Sequence, residues 1–170
     1  MPRAMASTTF RLRTWTRFHA SPEEVWAWKI NFENNRRELW PHDLSLTEAG
    51  ALDRALAGPW PVDLRATFRV LGLPPTLEWP IRVDNVIDGR QFRDTSSNPL
   101  FRRFEHTHLV EPTGDGCRYV DDLVFTPAWP TQKLAAILTQ RTFVRRHHVA
   151  AKVFRADPQA TAVSVLRVEG

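Results

Sequence analysis

The 170-residue chain contains a single cysteine, Cys117, so neither an internal disulfide nor a multi-cysteine metal centre is possible. Apolar runs fall well short of the roughly 20 residues that span a bilayer, and the opening MPRAMASTTFRLR lacks the apolar centre of a secretory signal. The expectation is a cytoplasmic protein with no membrane span. There is no G-x-S-x-G and no glycine-rich phosphate loop. That argues against hydrolases with a nucleophile elbow, kinases and dinucleotide-binding oxidoreductases. Lysine is scarce too: with Lys only at 29, 133 and 152, 20 of the 23 cations are arginine. They are scattered from Arg3 to Arg167 among 19 acids, in small clusters such as Arg11, Arg13 and Arg17, or Arg102 and Arg103. The net charge of +4 therefore reads as a solvated surface, and no nucleic-acid partner is expected.

What the chain does have is 42% hydrophobic content, enough for one domain with a sizeable core and too little length for two. Residues 8 to 18 alternate Phe10, Leu12 and Phe18 against Arg11, Arg13 and Arg17, the pattern of a half-buried strand. The period then changes. Ser21 suits an N-cap, Pro22 the first helical position and Glu24 the capping-box spacing, which predicts a short helix carrying Val25, Trp26 and Trp28. A second helical piece, Asn34 to Leu39, stops at Pro41.

Strands dominate from there. LSLTEAG reads as a short one, GALDRALAGPWP is left unassigned, and VDLRATFRV alternates cleanly over residues 62 to 70. TLEWPIRVDNV, RQFRDTS, LFRRFEHTHLVE and CRYVDDLVFTP follow, separated by turn residues, as a meander. From residue 131 to 155 no glycine or proline intervenes, and Leu134, Ile137, Leu138, Phe143 or Val144, Val149 and Val153 recur at helical spacing. This predicts one long amphipathic helix with that stripe buried. The tail ATAVSVLRV, residues 160 to 168, admits a strand pairing with a sheet edge or another chain as well as a frayed end.

Strand, two short helices, a meander and a long last helix form an α+β order in which a curved antiparallel sheet of six to seven strands must be covered by that helix. Here the chain resembles the START-related, Bet v 1-like (SRPBCC) superfamily with its helix-grip fold, especially bacterial ligand-binding and polyketide cyclase/dehydrase-like members. The resemblance lies in F-x-A-S-P-E-E-V-W at 18 to 26, W-P-I at 79 to 81, F-R-D at 92 to 94, F-E-H-T-H, D-D-L-V-F-T-P, and F-V-R-R-H at 143 to 147. It covers roughly residues 8 to 155. Asn98 stands where the family usually has glycine, so the loop after F-R-D is expected to differ. The resemblance implies one domain over 1–157 with 158–170 as a tail, and a mainly apolar cavity between sheet and helix for a lipid, polyketide, sterol-like or aromatic molecule.

Strand parity predicts which side chains face that cavity. Trp79, Phe92, Asp94, Phe104, His106, His108, Tyr119, Asp121 and Phe125 share the inward parity, with Leu138, Arg141, Arg145 or His148 added from the helix. Asp122 points the other way. His106, His108 and Asp121 are the acid/base candidates, because imidazole beside carboxylate moves protons near neutral pH. The other named residues are candidate ligand contacts. Two histidines at i and i+2 can hold a metal, but spacing supplies no third donor, and no metal or other cofactor is assigned. His147 and His148, with Arg145 and Arg146, are expected at the solvated or sheet-capping end of the helix. Binding of a small hydrophobic molecule, and cyclase or dehydratase catalysis in the same cavity, are the two functions these residues support, in a monomer or homodimer.

Overall fold

The computed structural model describes residues 7–128, 132–154, 156 and 162–168. Strand β1 (Thr9–Phe18) leads into helices α1 (Pro22–Ile30) and α2 (Phe32–Leu39). Ser21 accepts from the Glu24 amide while the Glu24 carboxylate accepts from the Ser21 amide, closing the capping box. Asn31 caps α2 through the amide of Asn34. Then come β2 (Asp43–Leu46), α3 (Ala51–Ala57), β3 (Val62–Arg69), β4 (Leu77–Ile87), β5 (Gln91–Asn98), β6 (Phe101–Thr113) and β7 (Gly116–Pro127). Helix α4 (Gln132–Val153) and β8 (Ala162–Val168) complete the chain. The predicted ends of the long helix, residues 131 and 155, lie outside the described residues.

All strands join one curved, unclosed antiparallel sheet in the order β2-β3-β4-β5-β6-β7-β1-β8, with α4 across its concave face. This is the helix-grip fold. The sheet has eight strands rather than six to seven, because both the short β2 and the tail strand β8 pair; β8 lies antiparallel to β1 from Thr9↔Val168 to Trp15↔Ala162. The unassigned GALDRALAGPWP contains α3, whose Ala51 and Ala55 are small enough to pack directly on the sheet side. Asn98 shapes the β5–β6 turn, its side-chain oxygen accepting from the amides of Leu100 and Phe101.

The face of α4 is rotated from the apolar stripe. Leu134, Ile137 and Val153 are 60%, 47% and 45% exposed, while Ala135, Thr139, Phe143, Arg146, His147 and Ala150 are buried. Small side chains let the helix approach the sheet, and Arg146 and His147 reach buried acids beneath it. Of the pair read as solvated or sheet-capping, His147 is fully buried against the sheet and His148 is exposed. Trp40 is 63% exposed, with Arg145 stacked over it at 4.8 Å. No helix among the described residues is long and apolar enough to cross a membrane.

Candidate functional site

Register brings the site together. Asp94 on β5 lies opposite His106 on β6, and Phe92 opposite His108; across the other edge of β6, His106 faces Leu123 and His108 faces Asp121. Three neighbouring strands thus put Asp94, His106, His108 and Asp121 on the concave face, while Asp122 points outward and pairs with Arg11 at 2.6 Å.

Above them is a cavity of about 300 Å³. Its walls are mainly apolar: Leu64, Phe68, Trp79, Ile81 and Val83 from β3 and β4, and Phe92, Phe101 and Phe104 from β5 and β6. Helix α4 adds Leu138, Thr139, Thr142 and Phe143. Leu134 also lines it and is largely exposed, so the cavity opens beside the start of α4. The polar lining falls mainly in two groups, Asp94, His106 and His108 on the sheet and Asn35 hydrogen-bonded to Arg146 from the helices, with His42, Thr139 and Thr142 besides. Phe143 lies between the two groups, with the His106 ring 4.8 Å and the Arg146 guanidinium 5.0 Å from its own.

Of the predicted contacts, Trp79, Phe92, Asp94, Phe104, His106, His108 and Leu138 line the cavity. The others lie elsewhere. Tyr119 and Asp121 are fully buried behind the wall, where His147 of α4 and Lys29 of α1 pack over them, and Phe125 is buried among Phe10 and Phe101. Arg141 is exposed and Arg145 stacks on Trp40, since the helix is rotated; the arginine that reaches the cavity is Arg146. Arg146, Asn35, Thr139 and Thr142 were not predicted as contacts. The signal was the run of small or hydroxyl residues at Ala135, Thr139, Thr142 and Ala150, a stripe that lets a helix overlie a cavity.

Behind the wall runs a buried hydrogen-bonded network. His106 Nε2 is 2.9 Å from Asp121 Oδ1 and its Nδ1 3.3 Å from Asp94 Oδ2. His108 Nε2 is 2.9 Å from the same Asp94 oxygen, and its Nδ1 2.9 Å from the Tyr119 hydroxyl, which donates to Asp121 Oδ1 at 2.5 Å. Asp121 Oδ2 faces His147 Nε2 at 3.1 Å, an ion-pair approach without good hydrogen-bond angles, and His147 Nδ1 lies 2.8 Å from the Thr16 hydroxyl.

Burial would lower His106, but the carboxylates of Asp94 and Asp121 outweigh it and hold His106 above the ordinary imidazole value. Burial and the neighbouring His106 push His108 down to about 4. Asp121 stays well below the usual carboxylate range despite its burial, because Arg146 and His106 stabilise the anion. A second buried cluster anchors Arg146: its Nε donates to Glu38 at 3.2 Å, and Lys29 meets the other Glu38 oxygen at 2.7 Å.

A curved antiparallel sheet gripping a long C-terminal helix over an apolar cavity defines a Bet v 1-like (SRPBCC) fold. The chain belongs to the family described as Domain of unknown function (DUF8410), whose model matches residues 16–154. Among solved structures it is similar to the Zhui aromatase/cyclase of Streptomyces sp. R1128, with 12% identity, TM-score 0.62, and coverage of 86% of this chain and 94% of that one. Protein CV1439 of Chromobacterium violaceum gives 13%, 0.62, 82% and 95% for the same measures. Truncated norcoclaurine synthase of Thalictrum flavum gives 15%, 0.60, 91% and 99%. Identities this low establish the fold alone. No curated protein matches the chain.

Proposed function

We propose that the chain binds a small hydrophobic molecule bearing an oxygen function at one end. The observation that carries this reading is a mainly apolar cavity whose largely buried charged and imidazole groups, Asp94, His106 and His108 on the sheet and Arg146 from α4, converge on it. Apolar walls supply affinity, and convergent polar groups fix orientation. The volume of about 300 Å³ sits at the small end of ligand cavities, which favours a compact aromatic or polyketide-like molecule over a long-chain lipid. Native mass spectrometry of the chain from its own host should show a stoichiometric small molecule. Thr139→Trp, which fills the cavity from α4, should weaken an apolar fluorescent probe at least tenfold with the fold retained. Unchanged probe affinity in that variant would refute the reading.

A second reading rests on His106, which reaches the cavity while held between Asp94 and Asp121. That placement suits proton transfer to a carbonyl or hydroxyl oxygen in a cyclisation or dehydration, and the similarity to the Zhui aromatase/cyclase supports this reading. His106→Gln and Asp121→Asn should then abolish turnover of a poly-keto substrate and leave probe binding within a few-fold. Turnover at the wild-type rate in both variants would remove the catalytic reading and leave binding intact.

A further inference from the structure

We propose that Asp94, His106 and His108 form a binding site for one divalent first-row transition-metal ion, open toward the cavity. Their donor atoms lie within 4.8 Å of one another. The sequence spacing offers only the two histidines; register adds the carboxylate by setting Asp94 opposite His106.

Three observations converge. First, His106 Nδ1 and His108 Nε2 both face the same oxygen, Asp94 Oδ2, at 3.3 and 2.9 Å. Donors bound to a metal at about 2.0–2.1 Å and subtending about 90–109° are about 2.9–3.3 Å apart, so both nitrogen–carboxylate separations suit a shared ion, and the two nitrogens, within 4.8 Å of each other, close on it by small ring rotations. Two imidazoles and one carboxylate are a set that first-row metals accept with coordination positions to spare.

Second, the far nitrogen of each ring has an outer partner. His106 Nε2 meets Asp121 Oδ1 and His108 Nδ1 meets the Tyr119 hydroxyl, each at 2.9 Å. Metal-bound histidines carry such partners because they fix the tautomer and raise ligand basicity. Asp121 is in turn held by Tyr119 and by His147.

Third, a bound cation completes the proton count without charging the His108 ring. Tyr119 spends its one proton on Asp121, so it accepts from His108 Nδ1–H. The contact between His108 Nε2 and Asp94 then needs a second proton, on the ring or on the carboxylate, beside a His106 ring whose centroid is 3.7 Å away. A metal at Nε2 replaces that second proton, and another bond from the same ion replaces the one between His106 and Asp94. Each imidazole is then neutral, with its remaining N–H donated outward.

The assignment stands apart from the cavity's cargo, and the experiment separates the two. The purified full chain is stripped with chelator, dialysed and titrated with Co²⁺, following visible absorption and then Zn²⁺ competition, with metal content by mass spectrometry. One equivalent with an intense visible band is expected. Asp94→Ala and His106→Gln should each lower affinity at least a hundredfold, and Tyr119→Phe about tenfold through the lost outer partner. His19→Gln and His148→Gln, which change exposed rings elsewhere, should have no effect. Absence of a band in the wild type, or full affinity in Asp94→Ala, would overturn the assignment. Probe binding by the stripped chain reports separately on the cavity: its loss would count against the cargo reading, and a cobalt band with or without it would still decide the metal.

Discussion

Gly116 opens β7 with φ +152°, and a Cβ there would be driven into the carbonyl oxygen of Phe18 on the neighbouring strand. Both partners are backbone, so neither can swing aside. Gly116→Ala should cost about 3 kcal/mol or more in urea unfolding, since the β1–β7 pairing from Phe18↔Cys117 must shift. A variant as stable as the wild type would mean that the turn relaxes freely. Next to it, Cys117 is fully buried, and burial with Glu23 and Glu24 nearby pushes its thiol up to about 11. The folded protein should therefore resist alkylation at pH 8 while the urea-unfolded chain reacts readily. The linkage has a definite sign. Above about pH 8.5 the unfolded thiol ionises before the folded one, so this group's contribution to stability falls as pH rises toward 11. Cys117→Ala should flatten that part of the stability-pH curve. Single residues such as Gly116 were unreadable in the sequence, because a close backbone approach leaves no mark in hydropathy pattern.

Among elements, a buried charge cluster joins α1, α2 and α4 beside the apolar cluster that holds Val25 and Trp26 with Ala150 and Ala151. Glu38 on α2 is fully buried and bonds Lys29 of α1, Trp28 of α1 and Arg146 of α4. Lys29, 1% exposed, also sits 4.1 Å from the centre of the Tyr119 ring. Glu38→Ala would strand two buried cations and should cost about 3–5 kcal/mol by chemical denaturation. Lys29→Met leaves Glu38 paired with Arg146, and its loss should be about half that or less. The opposite order would show that Lys29, not Glu38, holds the cluster. These pairings also explain what was readable. Strands β3, β6 and β7 announce themselves because one face is buried and the other carries charge, and the capping box marks α1 unambiguously. The inward face of α4 does not announce itself, since it is chosen by Arg146 and His147 reaching Glu38 and Asp121 rather than by apolarity. The same rotation moves the cavity arginine from Arg141 or Arg145 to Arg146. Asp94, His106 and His108 were readable as a facing group through strand parity, whereas their convergence on one oxygen depends on register between strands that only the fold supplies.

For the molecule as a whole, an open sheet has to manage two edges. One is the short β2; the other would be β1, long and central to the fold, were it not covered by β8. Strand β8 therefore closes a hydrogen-bonding edge running from Thr9 to Trp15, an edge that otherwise templates pairing between molecules. The alternation of ATAVSVLRV had admitted pairing with another chain, and in this structure its described part pairs within its own. Deleting residues 158–170 should leave the cavity walls in place, because none of the lining among the described residues comes from the tail. It should also expose β1, lowering the melting temperature and shifting light-scattering mass above that of the full chain at equal concentration. If the truncated chain keeps the mass and melting temperature of the full one, β8 contributes nothing to the sheet and β1 is protected by its own alternating arginines, Arg11, Arg13 and Arg17.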